Sequence, residues 1–124
     1  MRFSILLPLI TLPAAKAFGG FTRSCTGIAF NQPFLSANCV DYSRKRQHSQ
    51  VNLSHWVENR GGNLVWATNT GESFAHCSCH LDTSKIGILD CQCPNSNGGS
   101  TRSRLNLGPH CDNQNGYLTC DSLN

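Results

Sequence analysis

Two stretches of this chain, VNLSHWVENRGGNLVW over residues 51–66 and LNLGPHCDNQNGYLTC over residues 105–120, carry one pattern at a spacing of 54 residues. The same shift brings Cys25 onto Cys79, Leu35 onto Leu89, Cys39 onto Cys93, Asn52 onto Asn106 and Leu53 onto Leu107. It also brings Asn59 onto Asn113, Gly62 onto Gly116 and Leu64 onto Leu118. One offset held across a whole half marks a tandem duplication rather than two convergent hairpins. The fold must therefore be assembled from two equivalent units, one over about residues 18–70 and the other over about 71–124.

The first residues stand outside this scheme. Arg2 gives a positive start, Phe3 to Leu12 is almost wholly apolar, and Ala15-Lys16-Ala17 offers small residues for a signal peptidase. The apolar run is about ten residues, half of what a bilayer span needs. A cleaved secretory signal over residues 1–17 is expected, with a single mature domain over 18–124 and an extracellular location. About 107 residues bury a modest core, and eight cysteines reinforce it in an oxidising compartment. Without Arg2 and Lys16 the mature chain has eight basic and seven acidic residues. Net charge thus gives no reason to expect a nucleic-acid partner, and no segment is expected to insert into a membrane.

No stretch after the signal keeps a helical apolar period for three turns, whereas NLVWAT and YLTC alternate between Gly- and Asn-rich turns. This predicts an all-β domain with short helical turns. In each half a strand leads to a cysteine (Phe21 to Cys25; Phe74 to Cys79), and a second strand ends in a cysteine fourteen positions later. Asn52 or Asn106 then caps a short helical turn. Leu53, Trp56 and Val57 share one face of that turn. Asn-Arg-Gly-Gly or Asn-Gln-Asn-Gly supplies the positive φ of a tight reversal before a last strand.

The register suggests bridges Cys25–Cys39 and Cys79–Cys93, each closing about fifteen residues and worth about 3 kcal/mol in the loop-entropy view. Cys111 and Cys120 fall where the first half has Val57 and Trp66, so a bridge between them replaces an inward contact, leaving Cys77 with Cys91. Exchanges among Cys77, Cys79, Cys91 and Cys93 stay open. CSC and CQC read as bridges rather than as metal ligands in a secreted chain.

These residues resemble the cyanovirin-N homology family, as a fungal-type secreted member. VNLSHWVENRGGNLVW looks like the family's Asp/Asn-Leu, Ile/Val-Glu-Asn, Gly-x-Leu-x-Trp segment, LNLGPHCDNQNGYLTC looks like its second copy, and FGGFTRSC resembles a family opening. The resemblance covers about Phe18 to Cys120. It implies two pseudo-symmetric lobes, each a three-stranded antiparallel sheet plus a β-hairpin and each drawn from both repeats. It also implies a lectin without catalysis or cofactor. Its partners would be oligosaccharides or glycoprotein glycans, typically mannose-rich, and its state a monomer or domain-swapped dimer.

A neutral sugar offers hydroxyls that both donate and accept, and Asn matches both roles in one side chain. Carried over by position, one implied site groups Arg23, Ser24, Val40, Asp41 and Tyr42 with Asn113, Gln114 and Asn115. The other groups Glu58, Asn59 and Gly61 with Cys77, Ser78, Asn95 and Ser96. Val40 stands where the family pattern has an acid, Gly61 where it has Asp, and Pro94 and Ser96 where it has basic residues. The second site has lost more polar groups. The bland roles for the same residues are turn-capping by Asn59 and Asn113, pairing of Glu58 with a basic neighbour, and packing of Tyr42.

Two rival readings remain. A secreted ribonuclease would use Glu58 as base, His55 or His110 as acid and Arg60 for phosphate. A secreted interaction module with decayed sugar sites would use Arg44-Lys45-Arg46 as a contact patch, a run that also reads as a solvated loop or a processing site. Asn52-Leu53-Ser54 is a glycosylation sequon whose Asn is also the proposed cap. Mass spectrometry of the secreted protein should find Asn52 partly occupied or bare; full occupancy would remove the cap.

Overall fold

The computed structural model describes residues 20–68 and 71–122, so the expected signal lies outside the described residues. Ten strands follow in order: β1 (Cys25–Asn31), β2 (Phe34–Val40), β3 (Arg46–Asn52), β4 (Val57–Arg60), β5 (Asn63–Trp66), β6 (Ser78–Leu81), β7 (Ile88–Pro94), β8 (Ser100–Asn106), β9 (Cys111–Gln114) and β10 (Tyr117–Cys120). They form two three-stranded antiparallel sheets, β1-β2-β3 and β6-β7-β8, and two hairpins, β4-β5 and β9-β10. No helix among the described residues is long and apolar enough to cross a membrane.

The lobes exchange parts. Backbone N–H of Leu118 on β10 donates to Ser49 Oγ on β3 at 2.9 Å, and that of Leu64 on β5 donates to Ser103 Oγ on β8 at 3.0 Å. The first lobe is therefore the sheet of repeat one closed by the hairpin of repeat two, and the second lobe is the reverse. The core is made of repeat-related pairs: Leu35 with Leu89, Leu53 with Leu107, Leu64 with Leu118, and Phe21 with Phe74, all buried. On β2 the alternation is plain, with Leu35, Ala37 and Cys39 inward and their neighbours toward solvent.

The 54-residue shift is kept by every strand from β2 to β5, whose limits recur two by two in β7 to β10. Asn52 caps a 3-10 turn over Leu53–His55 by accepting from the Ser54 N–H at 2.9 Å, and Asn106 accepts from the Gly108 N–H in the same way. Val57 faces Trp66 across β4-β5, and the equivalent positions of β9-β10 are the bridged Cys111 and Cys120. A covalent bond does replace a packing contact there.

The first strand of each repeat departs from expectation. Phe21–Arg23 and Ser73–His76 are 3-10 turns, each presenting one fully buried phenylalanine, and the strands start after them. On β6, Ser78 lies opposite Gln92 and Cys79 opposite Cys91; one further step puts Cys77 across from Cys93. The bridges are accordingly Cys77–Cys93 and Cys79–Cys91, with Cα separations of 4.2 and 4.1 Å, not Cys79–Cys93 and Cys77–Cys91. The counterpart of Cys25, which bonds Cys39, is therefore Cys77. Sequence matching slips here because CSC offers two cysteines to one position, and because β1 carries a register irregularity between Thr26 and Ala29 that does not interrupt the pairing of β6 with β7.

A Cys77→Ser/Cys93→Ser double variant should fold with no titratable thiol and lose about 3 kcal/mol of stability. Cys77→Ser/Cys91→Ser should instead leave two free thiols, or force a new bridge, in a thiol assay under denaturant.

Candidate functional site

Both turn-and-hairpin junctions use one hydrogen-bond lattice. In the first lobe Asp41 accepts at Oδ1 from the N–H groups of Ser43 and Lys45, at 2.8 and 2.9 Å, and at Oδ2 from Gln47 Nε2 at 2.9 Å. In the second, Asn95 accepts from the N–H groups of Asn97 and Gly99, both at 3.0 Å, and donates to Thr101 Oγ1 at 3.0 Å. Asn113 Nδ2 donates to Val40 O at 2.8 Å while its Oδ1 accepts from the Gly116 N–H at 2.7 Å. Asn59 repeats this with Pro94 O at 3.0 Å and the Gly62 N–H at 2.8 Å. Gly116 and Gly62 have φ of 90° and 104°, and a Cβ would stand 2.9 Å from Gln47 Cγ in one and 2.8 Å from Thr101 Oγ1 in the other. Glycine is thus needed for close approach as well as for the turn.

This lattice sorts the expected sugar contacts. Asn113, which also donates to Ser24 Oγ at 3.0 Å, is half-buried and occupied in joining the hairpin to the sheet. Asn59 and Asn95 are likewise committed to structure. Glu58 pairs with Arg60 at 3.1 Å, and Gln114 Nε2 donates to Asp112 Oδ2 at 2.6 Å in the equivalent place. Arg23 is exposed and folds toward Gly20, and Ser78 and Ser96 are exposed. Of the residues invoked for ribonuclease chemistry, Glu58 is engaged by Arg60. His110 stacks on Trp66 at 4.3 Å, its Nδ1 bonded to Asp121 O at 2.9 Å.

What the fold gathers in the first lobe is a cleft of about 330 Å3 lined by Asp41, Tyr42, Ser43, Gln47, His48, Asn115 and Tyr117. Asn115 Oδ1 accepts from the Tyr42 N–H at 2.7 Å, joining the two rims. Tyr42 and Tyr117 are 86% and 68% exposed, so neither is a packed aromatic. Tyr117, Gln47, His48 and Ser43 were absent from the sequence-derived set. They are brought in by the docking of β10 beside β3, which no local motif announces. In the second lobe the places of Tyr42, Asn115 and Tyr117 are taken by Ser96, Gly61 and Asn63.

The bond from Gln47, followed by the N–H of Lys45, holds the Asp41 carboxyl below its ordinary value of 3.8. A lowered carboxyl contributes its order to the turn above the ordinary value, and loses it as pH falls through the lowered one. In the second sheet, hydrogen bonding to Arg102 lowers Asp90 in the same sense, and Arg104 pairs with Asp82. Among the described residues no cluster of His, Cys, Asp or Glu is arranged to hold a metal.

The family model of the CVNH domain matches residues 21–119. The chain belongs to the CVNH family. Among solved CVNH structures it is similar to a MoCVNH3 variant in complex with (N-GlcNAc)4, with TM-score 0.76 and 18% identity over 86% of this chain and 99% of that one. It is similar to the Gibberella zeae CVNH protein at TM-score 0.70, with 21% identity over 83% of this chain and 98% of that one. Microvirin, in a mannobiose complex, gives TM-score 0.69 and 22% identity over 83% of this chain and 99% of that one. At such identities these likenesses concern the CVNH fold. No curated protein matches the chain in sequence.

Asn113→Ala and Asn59→Ala should each cost about 2–4 kcal/mol in urea unfolding, from two or three lost bonds at a half-buried junction. By NMR, the Asp41 carboxyl should titrate below 3.8; a midpoint at or above that value would contradict the Gln47 contact.

Proposed function

We propose that the chain is a secreted, non-catalytic lectin that binds oligosaccharides, mannose-rich glycans of glycoproteins, in the first-lobe cleft. The observation that carries this reading is the pair of exposed tyrosines, Tyr42 and Tyr117, lining one polar cleft. A pyranose has apolar C–H faces and a polar rim. Aromatic rings take the faces by dispersion, while Ser43, Gln47, His48 and Asn115 offer donors and acceptors to the hydroxyls. The rims are held in advance by the Asp41 and Asn115 bonds, so less order is lost when a ligand enters.

Family membership supports the reading, as do the (N-GlcNAc)4 and mannobiose complexes of two structural neighbours. Four bridges suit an oxidising, extracellular setting. Ser96, Gly61 and Asn63 give the second lobe no aromatic wall, so one glycan per chain is the proposed stoichiometry and no avidity arises from bridging.

A glycan array followed by calorimetry tests this. Tyr42→Ala and Tyr117→Ala should each weaken binding about tenfold or more, equivalent to about 1.4 kcal/mol, with Tm unchanged. Ser96→Ala should change nothing. The reading fails if no glycan binds, or if the double tyrosine variant binds as well as the parent.

A further inference from the structure

The two lobes share strand limits and the asparagine–glycine lattice while their bridges and ion pairs differ, so turn residues that differ between them are not what the shared lattice requires. The turn beside the first-lobe cleft carries Arg44, Lys45 and Arg46; the second lobe has Gly98, Gly99 and Ser100 at the matching places. All three basic side chains are exposed. None of the ion pairs among the described residues involves them, whereas Arg60, Arg102 and Arg104 of the second lobe are all paired with carboxylates.

Backbone conformation sharpens the contrast. Among the described residues, two that are not glycine have positive φ: Arg44 at 67° and Asn115 at 53°. Asn115 lines the first-lobe cleft, and Arg44 directly follows Ser43, which also lines it. Their counterparts in the second lobe are Gly98 and Gly61, at 83° and 64°, the residue type that this conformation favours. Asn115 has a visible purpose, since it holds the Tyr42 N–H. At Arg44 the conformation serves the turn, its N–H donating to Asp41 O at 2.9 Å, but Gly98 holds the matching place in the second lobe, so the turn does not require the arginine side chain that stands exposed here.

The geometry points to an anionic oligosaccharide as the ligand of this cleft: one sugar ring against the tyrosines and a sulfate, carboxylate or phosphate group on the neighbouring ring met by Arg44, Lys45 and Arg46. This inference rests on the lectin reading and names the chemistry of its ligand. The one acid lining the cleft, Asp41, is held at both oxygens by Ser43, Lys45 and Gln47 within its own hairpin. A near-neutral chain can still hold a local positive field, because fields are summed over about a Debye length and not over the molecule.

The test is calorimetry on the oxidised protein with four tetrasaccharides: a heparin-derived one, an oligogalacturonide, a phosphorylated mannotetraose and neutral mannotetraose. At least one acidic probe should bind at least about tenfold tighter than the neutral one at low ionic strength, and which does so identifies the anion. The advantage should shrink as salt rises. Arg44→Gly/Lys45→Gly/Arg46→Ser, which installs the second lobe's own residues, should abolish the difference, leave neutral binding within twofold and keep Tm at or above the parent's. The inference is overturned if the neutral probe binds as well as every acidic one, or if a single-stranded oligonucleotide of equal charge competes as strongly as the best acidic sugar. In either case, continued loss of sugar binding in Tyr42→Ala keeps the lectin reading alone; loss of that effect as well removes both.

Discussion

The architecture turns on two side-chain amides. Asn113 and Asn59 each sit at the tip of a hairpin from one repeat and reach into the sheet of the other, donating to a carbonyl and accepting from a glycine N–H. An aspartate could accept but not donate, and a serine could not span both partners. Residues identical in the two copies are therefore asparagine for a geometric reason, and around them stand the two close-contact glycines and the two turn acceptors, Asp41 and Asn95.

Because this lattice is self-sufficient, the outward-facing groups are free to diverge, and they have. One lobe presents tyrosines, a histidine and a basic turn; the other presents serine, glycines and asparagine, with its arginines folded onto Glu58, Asp90 and Asp82. The Asp90–Arg102 pair is a clear instance, bidentate at 3.0 and 2.7 Å where the first repeat has Ser36 and His48. A duplicated frame thus presents exposed aromatic and basic groups on one face and paired charges on the other, without altering the core pairs of leucines and phenylalanines.

Much of the frame was legible in the sequence. The shift of 54 predicts the limits of four strands from those of four others, the Asn52 and Asn106 caps, and the replacement of a Val–Trp contact by Cys111–Cys120. The opening strand was not legible, since register there is set by pairing across β6 and β7 and not by the cysteine pattern. The cleft was half legible: Asp41, Tyr42 and Asn115 were found by position, but Tyr117 and His48 meet only after β10 docks beside β3. Asn113 joins hairpin to sheet because an amide suited to a sugar is equally suited to a carbonyl and an N–H, and sequence alone does not separate the two roles.

The exchange of hairpins also bears on how the chain reaches its native state. Each bridge links cysteines 9 to 16 residues apart, so every one can close within its own repeat. The Asn113 contacts, by contrast, span 73 and 89 residues, to Val40 and Ser24. The bridges therefore close short loops within a repeat, whereas the joining of the two halves carries the larger loop-closure entropy. During synthesis the earlier lobe must wait, unfinished, for the last strand to clear the ribosome.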